Sequence, residues 1–389
     1  MSQKISLVHF SMSTYAEWFV RGKANRNYHV FELLRANSSV DKILSIDVLP
    51  HSWKRGVRSL VDYFRAAPYG KVIHRSFFSR LIKVTDRLYI YQTIEPLISQ
   101  KFFMKKLRGI IKDLDLVNTV VWSFIPTYVS YIGALDERVS VFDTVDDWSC
   151  HPAYQFIKQK LIKNYEYINR HADVIFTVSE QLTQKFYDAN PHAFTVTNGV
   201  DLKHFSTQQP EPDDMKQLPH PRVCYVGVIQ QRVDFQMVHE AAVLSPDVSF
   251  IFIGPIWHDA DIGTVKNLKN VYFLGAKKYN QLPGYIQHSD IGLLPHHLND
   301  LVQSMNPLKL YEYLASGKPI ISTPVPGTEQ FSSDFITIVR NGRALAGAIR
   351  SVMSRQQLLK PQQLQDSVLS YSWESKVHSM LQKVFAAYR

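Results

Sequence analysis

The sequence predicts an α/β protein of two Rossmann-like domains facing each other across a cleft, and three observations carry that prediction. Short apolar runs alternate with helical stretches along the whole chain, as parallel α/β layers require. The 389 residues are too many for one ordinary core, so two domains are expected. Between two such series lies Gln208-Gln209-Pro210-Glu211-Pro212-Asp213-Asp214, followed by Pro219 and Pro221, with the composition of a linker. The expected organisation is a domain over 1–207, a linker over 208–221, a second domain over 222–370 and a last helical segment over 371–389.

The elements follow in order. Lys4–Phe10 reads as the first strand, Tyr28–Arg35 as a helix and Lys42–Val48 as the second strand. Arg87–Tyr91 and Asn118–Ser123 read as strands, with a basic helix over Pro96–Lys112 between them. Val139–Phe142 is a strand that ends in the acidic turn Asp143-Thr144-Val145-Asp146-Asp147. A helix over Tyr154–Arg170, a strand Val174–Thr177, a helix Glu180–Tyr187 and a strand Phe194–Thr197 complete the first half. In the second half, Arg222–Val226, Ser249–Ile253 and Val271–Phe273 are apolar runs closed by Gly227, Gly254 and Gly275. Ile291–Leu294 and Pro319–Thr323 are further strands, and Trp373–Tyr388 is an amphipathic helix.

Composition narrows the class. Apolar content of 45% describes a globular chain, and no run of about 18 apolar residues suggests a spanning helix. The first ten residues enter a strand directly and lack the apolar stretch of a signal peptide, so a cytoplasmic location is expected. Cys150 and Cys224 match no metal-ligand spacing, and neither a metal nor a cofactor is expected. The net charge of +10 is concentrated in one place. Residues 51–112 hold fourteen Lys and Arg against three Asp and Glu, interleaved with aromatics such as Tyr69, Phe77, Phe78 and Phe102. That mixture suits an anionic membrane surface; the alternative is a solvated face over a buried aromatic stripe. No nucleic-acid module is recognisable, so nucleic acid is not an expected partner. Gly-x-Ser-x-Gly, Walker A and Gly-x-Gly-x-x-Gly patterns are absent, which argues against hydrolase, NTPase and dehydrogenase chemistry.

The chemistry is concentrated in Met305-Asn306-Pro307-Leu308-Lys309-Leu310-Tyr311-Glu312-Tyr313-Leu314-Ala315-Ser316-Gly317-Lys318-Pro319. The Asn306-Pro307 turn opens a helix whose first N–H groups, at Leu308 and Lys309, lack helical partners and attract an anion. Lys309 in the first turn opposes the helix dipole unless something negative lies against it, and Glu312 projects to the same side. A phosphate seat, a cation and a carboxylate on one face describe a site for a nucleoside diphosphate. In open parallel sheets ligands bind at the carboxyl ends of strands, where Gly227, Gly254 and Gly275 stand. Arg232 follows Gly227 and is placed to reach a diphosphate, and the Gly275–Tyr279 stretch, with Lys277 and Tyr279, is placed to hold a base edge.

The order YVG, FIG, FLG, LLP and NPLKLYEYLASGKP resembles the donor-nucleotide domain of GT-B glycosyltransferases, well over residues 220–330 and more loosely in the first domain through VFDTVDDW and VTNGVD. It is similar to bacterial enzymes that build exopolysaccharides and teichuronic acids. The resemblance implies a sugar transferase using a nucleoside-diphosphate sugar, UDP-linked by expectation, with Glu312 on the donor ribose and Lys309 on the diphosphate. It also implies a last helix that crosses back to the first domain. One departure stands out. Retaining enzymes of family 4 carry two glutamates with seven residues between them; Glu312 fills the second place, and the first falls here on Ser304.

Transfer with inversion needs a base to take the acceptor proton, and the acidic turn supplies carboxylates at a strand end. Asp146 matches the catalytic aspartate of the xanthan glucuronosyltransferase type, with Asp147 the second candidate and Asp143 the third; helix capping is the alternative role for all three. Arg26 and His29 are expected near a phosphate or the acceptor, and His151, His296 and His297 as structural groups. The acceptor expected is a lipid-linked glycan at the inner face of the membrane, approached through residues 51–112. Two other functions fit the same residues: an epimerase acting on a nucleotide-sugar without an acceptor, and a non-catalytic partner subunit, to which Ser304 points.

Overall fold

A computed structural model of the protein describes residues 4–19, 22, 24–48, 69–355 and 359–388. The chain divides into two compact units, Met1–Val196 with Val377–Arg389, and Thr197–Lys376.

The first unit is built on a nine-stranded sheet. Its strands are β1 (Ile5–Phe10), β2 (Val40–Val48), β3 (Lys71–Arg75), β4 (Ser79–Lys83), β5 (Leu88–Thr93), β6 (Thr119–Ser123), β7 (Val139–Thr144), β8 (Val174–Thr177) and β9 (Ala193–Thr195). They run in the order β3-β4-β5-β2-β1-β6-β7-β8-β9. Every residue of β1, β6, β7 and β8 is buried, as expected of parallel strands covered on both faces. The strands β3 and β4 were not anticipated: they extend the sheet antiparallel beyond β5. Their Lys and Arg hide the strand period, and β3 carries its charges because it is an exposed edge. Helices cover the sheet where polar residues cap them. Asn25 accepts from the Tyr28 N–H at 3.0 Å to start Arg26–Ala36, and Ser179 opens Glu180–Tyr187. The expected basic helix is two helices, Glu95–Ile98 and Gln100–Asp113, broken at Ser99, which caps the second. Phe103, Met104, Leu107 and Ile110 bury its inner face at helical spacing.

The second unit holds a six-stranded parallel sheet: β10 (Arg222–Val226), β11 (Ser249–Ile253), β12 (Val271–Gly275), β13 (Ile291–Leu294), β14 (Ile320–Ser322) and β15 (Ile336–Ile338). The order β12-β11-β10-β13-β14-β15 reverses direction at β10 and β13, which makes the carboxyl ends of those strands the topological switch point.

The segment 208–221, read from composition as a linker, lies inside this second unit and packs against it. Met215 is fully buried, Glu211 pairs with Arg222 at 2.6 Å, and the Gln209 N–H donates to Gln287 Oε1 at 2.9 Å. Its prolines suit an extended strap as well as a tether. The division of the chain falls instead between Val196 and Thr197.

The helix Trp373–Ala386 begins in the second unit, where Trp373 is buried and its N–H donates to the Val200 carbonyl at 3.2 Å, and continues as part of the first. Among the described residues, no helix is long and apolar enough to cross a membrane.

Candidate active site

The helix Leu308–Ala315 is set on the second sheet by its buried face, Leu310, Tyr311, Tyr313 and Leu314. Tyr313 makes the closest fit. Its ring occupies the space a Cβ on Gly292 would need, 2.4 Å away, and its hydroxyl accepts from the Val226 N–H at 2.9 Å. Pro307 precedes the helix, and no side chain caps its first turn, which leaves the opening N–H groups available to an anion. Asn306 is buried and acts as a positioning group: its Oδ1 accepts from the Asn198 N–H at 2.8 Å, and its carbonyl accepts from Asn198 Nδ2 at 2.5 Å.

The three strand-end glycines form one linked structure. The Gly227 N–H donates to Ile253 O at 2.7 Å, and the Gly254 N–H to Gly275 O at 2.9 Å. Gly227 and Gly254 hold φ of +135° and +148°, and a Cβ on Gly254 would stand 1.9 Å from the Gly227 oxygen. Only glycine permits these backbones to approach so closely. The tip of Lys309 rests on Gly227, and its ammonium lies 5.1 Å from the centre of the Tyr225 ring.

Arg232 comes to the same place. Its Nη1 lies 3.4 Å from Met305 Sδ, and its guanidinium donates to Gln230 Oε1 in the orientation that satisfies both. Among the described residues neither Lys309 nor Arg232 has a carboxylate within ion-pair distance. Lys309 and Glu312 keep some accessible surface, yet protein surrounds them. Burial, then the nearby Arg232, lowers the pKa of Lys309; burial likewise raises that of Glu312, against the attraction of Lys309. His296, expected to be merely structural, joins them. It is buried beside Tyr225 at 6.1 Å, both ring nitrogens lack partners among the described residues, and burial followed by Lys309 and Arg232 keeps it neutral. The sequence signal for it was its place two residues after β13, at the carboxyl end of a switch-point strand.

Other expected residues sit differently. Lys277 is paired with Asp214 and lies over the Tyr285 ring, and Tyr279 stacks on His204 with ring centres 4.3 Å apart. Their side chains are therefore engaged in packing, which leaves the backbone of Gly275–Tyr279 as the part suited to a base edge. Ser304 ends a short helix, Asp300–Ser304, and its hydroxyl donates to the Leu301 carbonyl at 2.8 Å. His297 lies 3.5 Å from Asp234.

In the first unit the acidic turn separates into three roles. Asp143, fully buried, receives the Arg26 Nε–H at 2.9 Å, and Arg26 also donates to the Val196 carbonyl at 2.8 Å. Arg26 is thus a structural partner and not a phosphate ligand. Asp147 accepts from Lys185 at 2.7 Å and from the Ser149 hydroxyl at 2.6 Å; burial raises its pKa, but these partners outweigh it and hold the carboxyl below its usual range. Asp146 keeps a partly exposed side chain at the carboxyl end of β7, while its carbonyl accepts from Thr144 Oγ1 at 2.9 Å.

Comparison with known proteins places the chain. Residues 220–355 match the family of glycosyl transferases group 1, and the two-unit fold is that of GT-B enzymes, so the protein is a GT-B glycosyltransferase. It is similar to TuaH of Bacillus subtilis strain 168, named for a glycosyltransferase of teichuronic acid biosynthesis, with 24% identity over 86% of this chain and 85% of that protein. Among solved structures, Anabaena HepE in complex with UDP superposes with a TM-score of 0.65 at 15% identity, covering 99% of this chain and 100% of that one. The α,α-trehalose 6-phosphate synthase of Burkholderia multivorans gives a TM-score of 0.63 at 10% identity, covering 99% of each chain.

Proposed function

We propose that this glycosyltransferase moves a sugar from a UDP-sugar to a lipid-linked glycan of the cell surface, working at the inner face of the membrane. One observation carries the donor half: two cations, Lys309 and Arg232, converge at the switch point of the second sheet, and among the described residues neither has a carboxylate within ion-pair distance. Such a pair is unfavourable in the empty protein and becomes favourable when a diphosphate lies between the cations and the opening N–H groups of the helix. Leaving-group charge is then stabilised by fixed cations and dipoles. Glu312, on the same helix face, accepts from the ribose hydroxyls, and the backbone of Gly275–Tyr279 takes the base edge. HepE has also been crystallised with UDP-glucose, which supports uridine as the nucleotide, and the likeness to TuaH supports a cell-surface glycan as the product.

Asp146 acts as the base that deprotonates the acceptor hydroxyl, because Asp143 and Asp147 are already committed to Arg26 and Lys185. The absence of a carboxylate at Ser304 favours this inverting route. The same absence gives a second reading, a subunit that binds donor without turning it over.

A thermal-shift screen with UDP, GDP, CDP and ADP, followed by release of UDP from UDP-glucose, tests both readings. A selective shift by UDP with measurable UDP release is expected. No shift with any nucleotide would sink the donor site, and binding without turnover would favour the non-catalytic subunit.

A further inference from the structure

Phe77 is the most exposed large apolar side chain described in the protein, at 85%, and it stands at the tip of the β3–β4 turn. Its ring packs edge-on against Phe78, 4.8 Å away. The turn is anchored to the two helices beside it. Lys106, from Gln100–Asp113, donates to Ser76 Oγ at 2.9 Å and Ser79 Oγ at 2.6 Å, and pairs with the buried Glu95 at 2.7 Å. The Phe78 carbonyl accepts from the Ile94 N–H at 3.1 Å. The turn is therefore fixed to the two helices that carry Ile98 and Phe102, which are exposed at 56% and 55%.

The segment that carries these apolar groups is strongly basic. Arg75, Lys101 and Lys105 are exposed, and the two carboxylates between Tyr69 and Lys112 are both neutralised, Asp86 by Lys83 and Glu95 by Lys106. An exposed apolar patch on a rigid support, ringed by cations, has the composition of a surface that enters an anionic bilayer. A protein partner would need matching carboxylates for the same collar, whereas anionic headgroups supply a continuous negative plane.

We infer that Phe77, Ile98 and Phe102 insert among the acyl chains of an anionic membrane while Arg75, Lys101 and Lys105 sit at its headgroups, docking the first unit on the bilayer. The inference deepens the proposed reaction on a lipid-linked acceptor and rests on that reading for its purpose.

The test uses the full chain, without donor or acceptor, in co-sedimentation with vesicles of phosphatidylcholine alone or with one quarter phosphatidylglycerol. Binding to the anionic vesicles only is expected. The double variant K101A/K105A should partition about thirtyfold more weakly, since each cation near the surface contributes about 1 kcal/mol. The double variant F77S/F78S should lose the binding that persists at high salt. Unfolding temperature and the UDP-induced shift, measured on the same variants, should match the parent protein, because every side chain changed is exposed. Equal sedimentation with both vesicle types, or variants that bind like the parent, would overturn the docking surface. So would a parent dimer in light scattering that F77S/F78S makes monomeric, which would assign the patch to a second copy of the chain. A missing UDP shift beside intact vesicle binding would instead count against the transferase reading alone.

Discussion

Lys309 stands in the space that a side chain on Gly227 would fill: a Cβ there would come within 2.6 Å of its ammonium nitrogen. The cation and the strand-end glycine are therefore one device. Gly227 lets the lysine lie flat across the end of β10, and Gly254 lets Gly227 take that position.

Alanine substitutions at the three glycines should separate these contributions. At Gly275, φ of +72° is the only obstacle and nothing lies within 4 Å, so G275A should lose about 1–2 kcal/mol. G227A meets both an unfavourable φ and the flexible end of Lys309, and should lose about 1–3 kcal/mol together with UDP affinity. G254A drives a Cβ into backbone and should fail to fold. Urea unfolding with and without UDP measures the order, and a G254A protein as stable as G275A would overturn it.

UDP affinity should fall as pH rises above about 8, where Lys309 in the empty protein loses its proton. The sign follows from the folded-state values. Lys309 is lowered from 10.5 to about 8, so its contribution to stability is present above 10.5 and lost as pH falls through 8. Glu312 is raised from 4.5 to about 7, so its contribution is present below 4.5 and lost as pH rises through 7. The empty protein is least supported by this pair between those two values, and UDP should stabilise it most there. Calorimetric titration from pH 6.5 to 9.5 checks the trend, and K309M should flatten it.

Asp146 and Asp147 are neighbours that should respond differently. D146N should lower the rate by a factor of about 100 or more, the usual scale of a general base, and leave the unfolding midpoint close to that of the parent. D147N removes the partner of Lys185 and Ser149 and should cost about 1.5–3 kcal/mol of stability. Because that carboxyl is held below its usual range, its contribution is present at neutral pH and lost on acidification through the folded value. A D146N protein with the parental rate would remove Asp146 from the chemistry.

Arg26 and Asp143 are both buried, so R26A leaves an uncompensated charge and should cost about 3–5 kcal/mol. Asp143 already has a raised pKa from burial, opposed by Arg26, and without that arginine it should rise further. A raised acid favours the folded state below its unfolded value and loses that contribution as pH increases. R26A should therefore be weakest at neutral pH and recover as the solution is acidified, with D143N restoring part of the loss. Unfolding curves at pH 5 and pH 7.5 decide it; equal losses at both would rule out the buried charge as the cause.

Much of the second unit was legible in the sequence. Arg222–Val226, Ser249–Ile253 and Ile291–Leu294 were placed at their observed limits, because apolar runs bounded by turn residues have few other ways to fold. The strands β3 and β4 escaped notice because lysine and arginine at a sheet edge look like a solvated segment. Residues 208–221 misled for a related reason: proline marks extended chain but does not say whether that chain is packed. Within the site, Lys309, Arg232 and the glycines could be found from spacing along strands and a helix. The engagement of Lys277 by Asp214, and of Arg26 by Asp143, depends on residues far apart in the chain, which no local pattern encodes.

The last helix has a consequence for how the protein is made. Residues Val377–Arg389 belong to a unit whose other residues are the first to be synthesised. At about 5–20 residues per second, translating the intervening Thr197–Lys376 takes roughly 10–40 s. Throughout that interval the first unit lacks its closing segment, and Lys383 is not yet present to lie over the Phe194 ring. The first unit to emerge from the ribosome is thus the last to be completed.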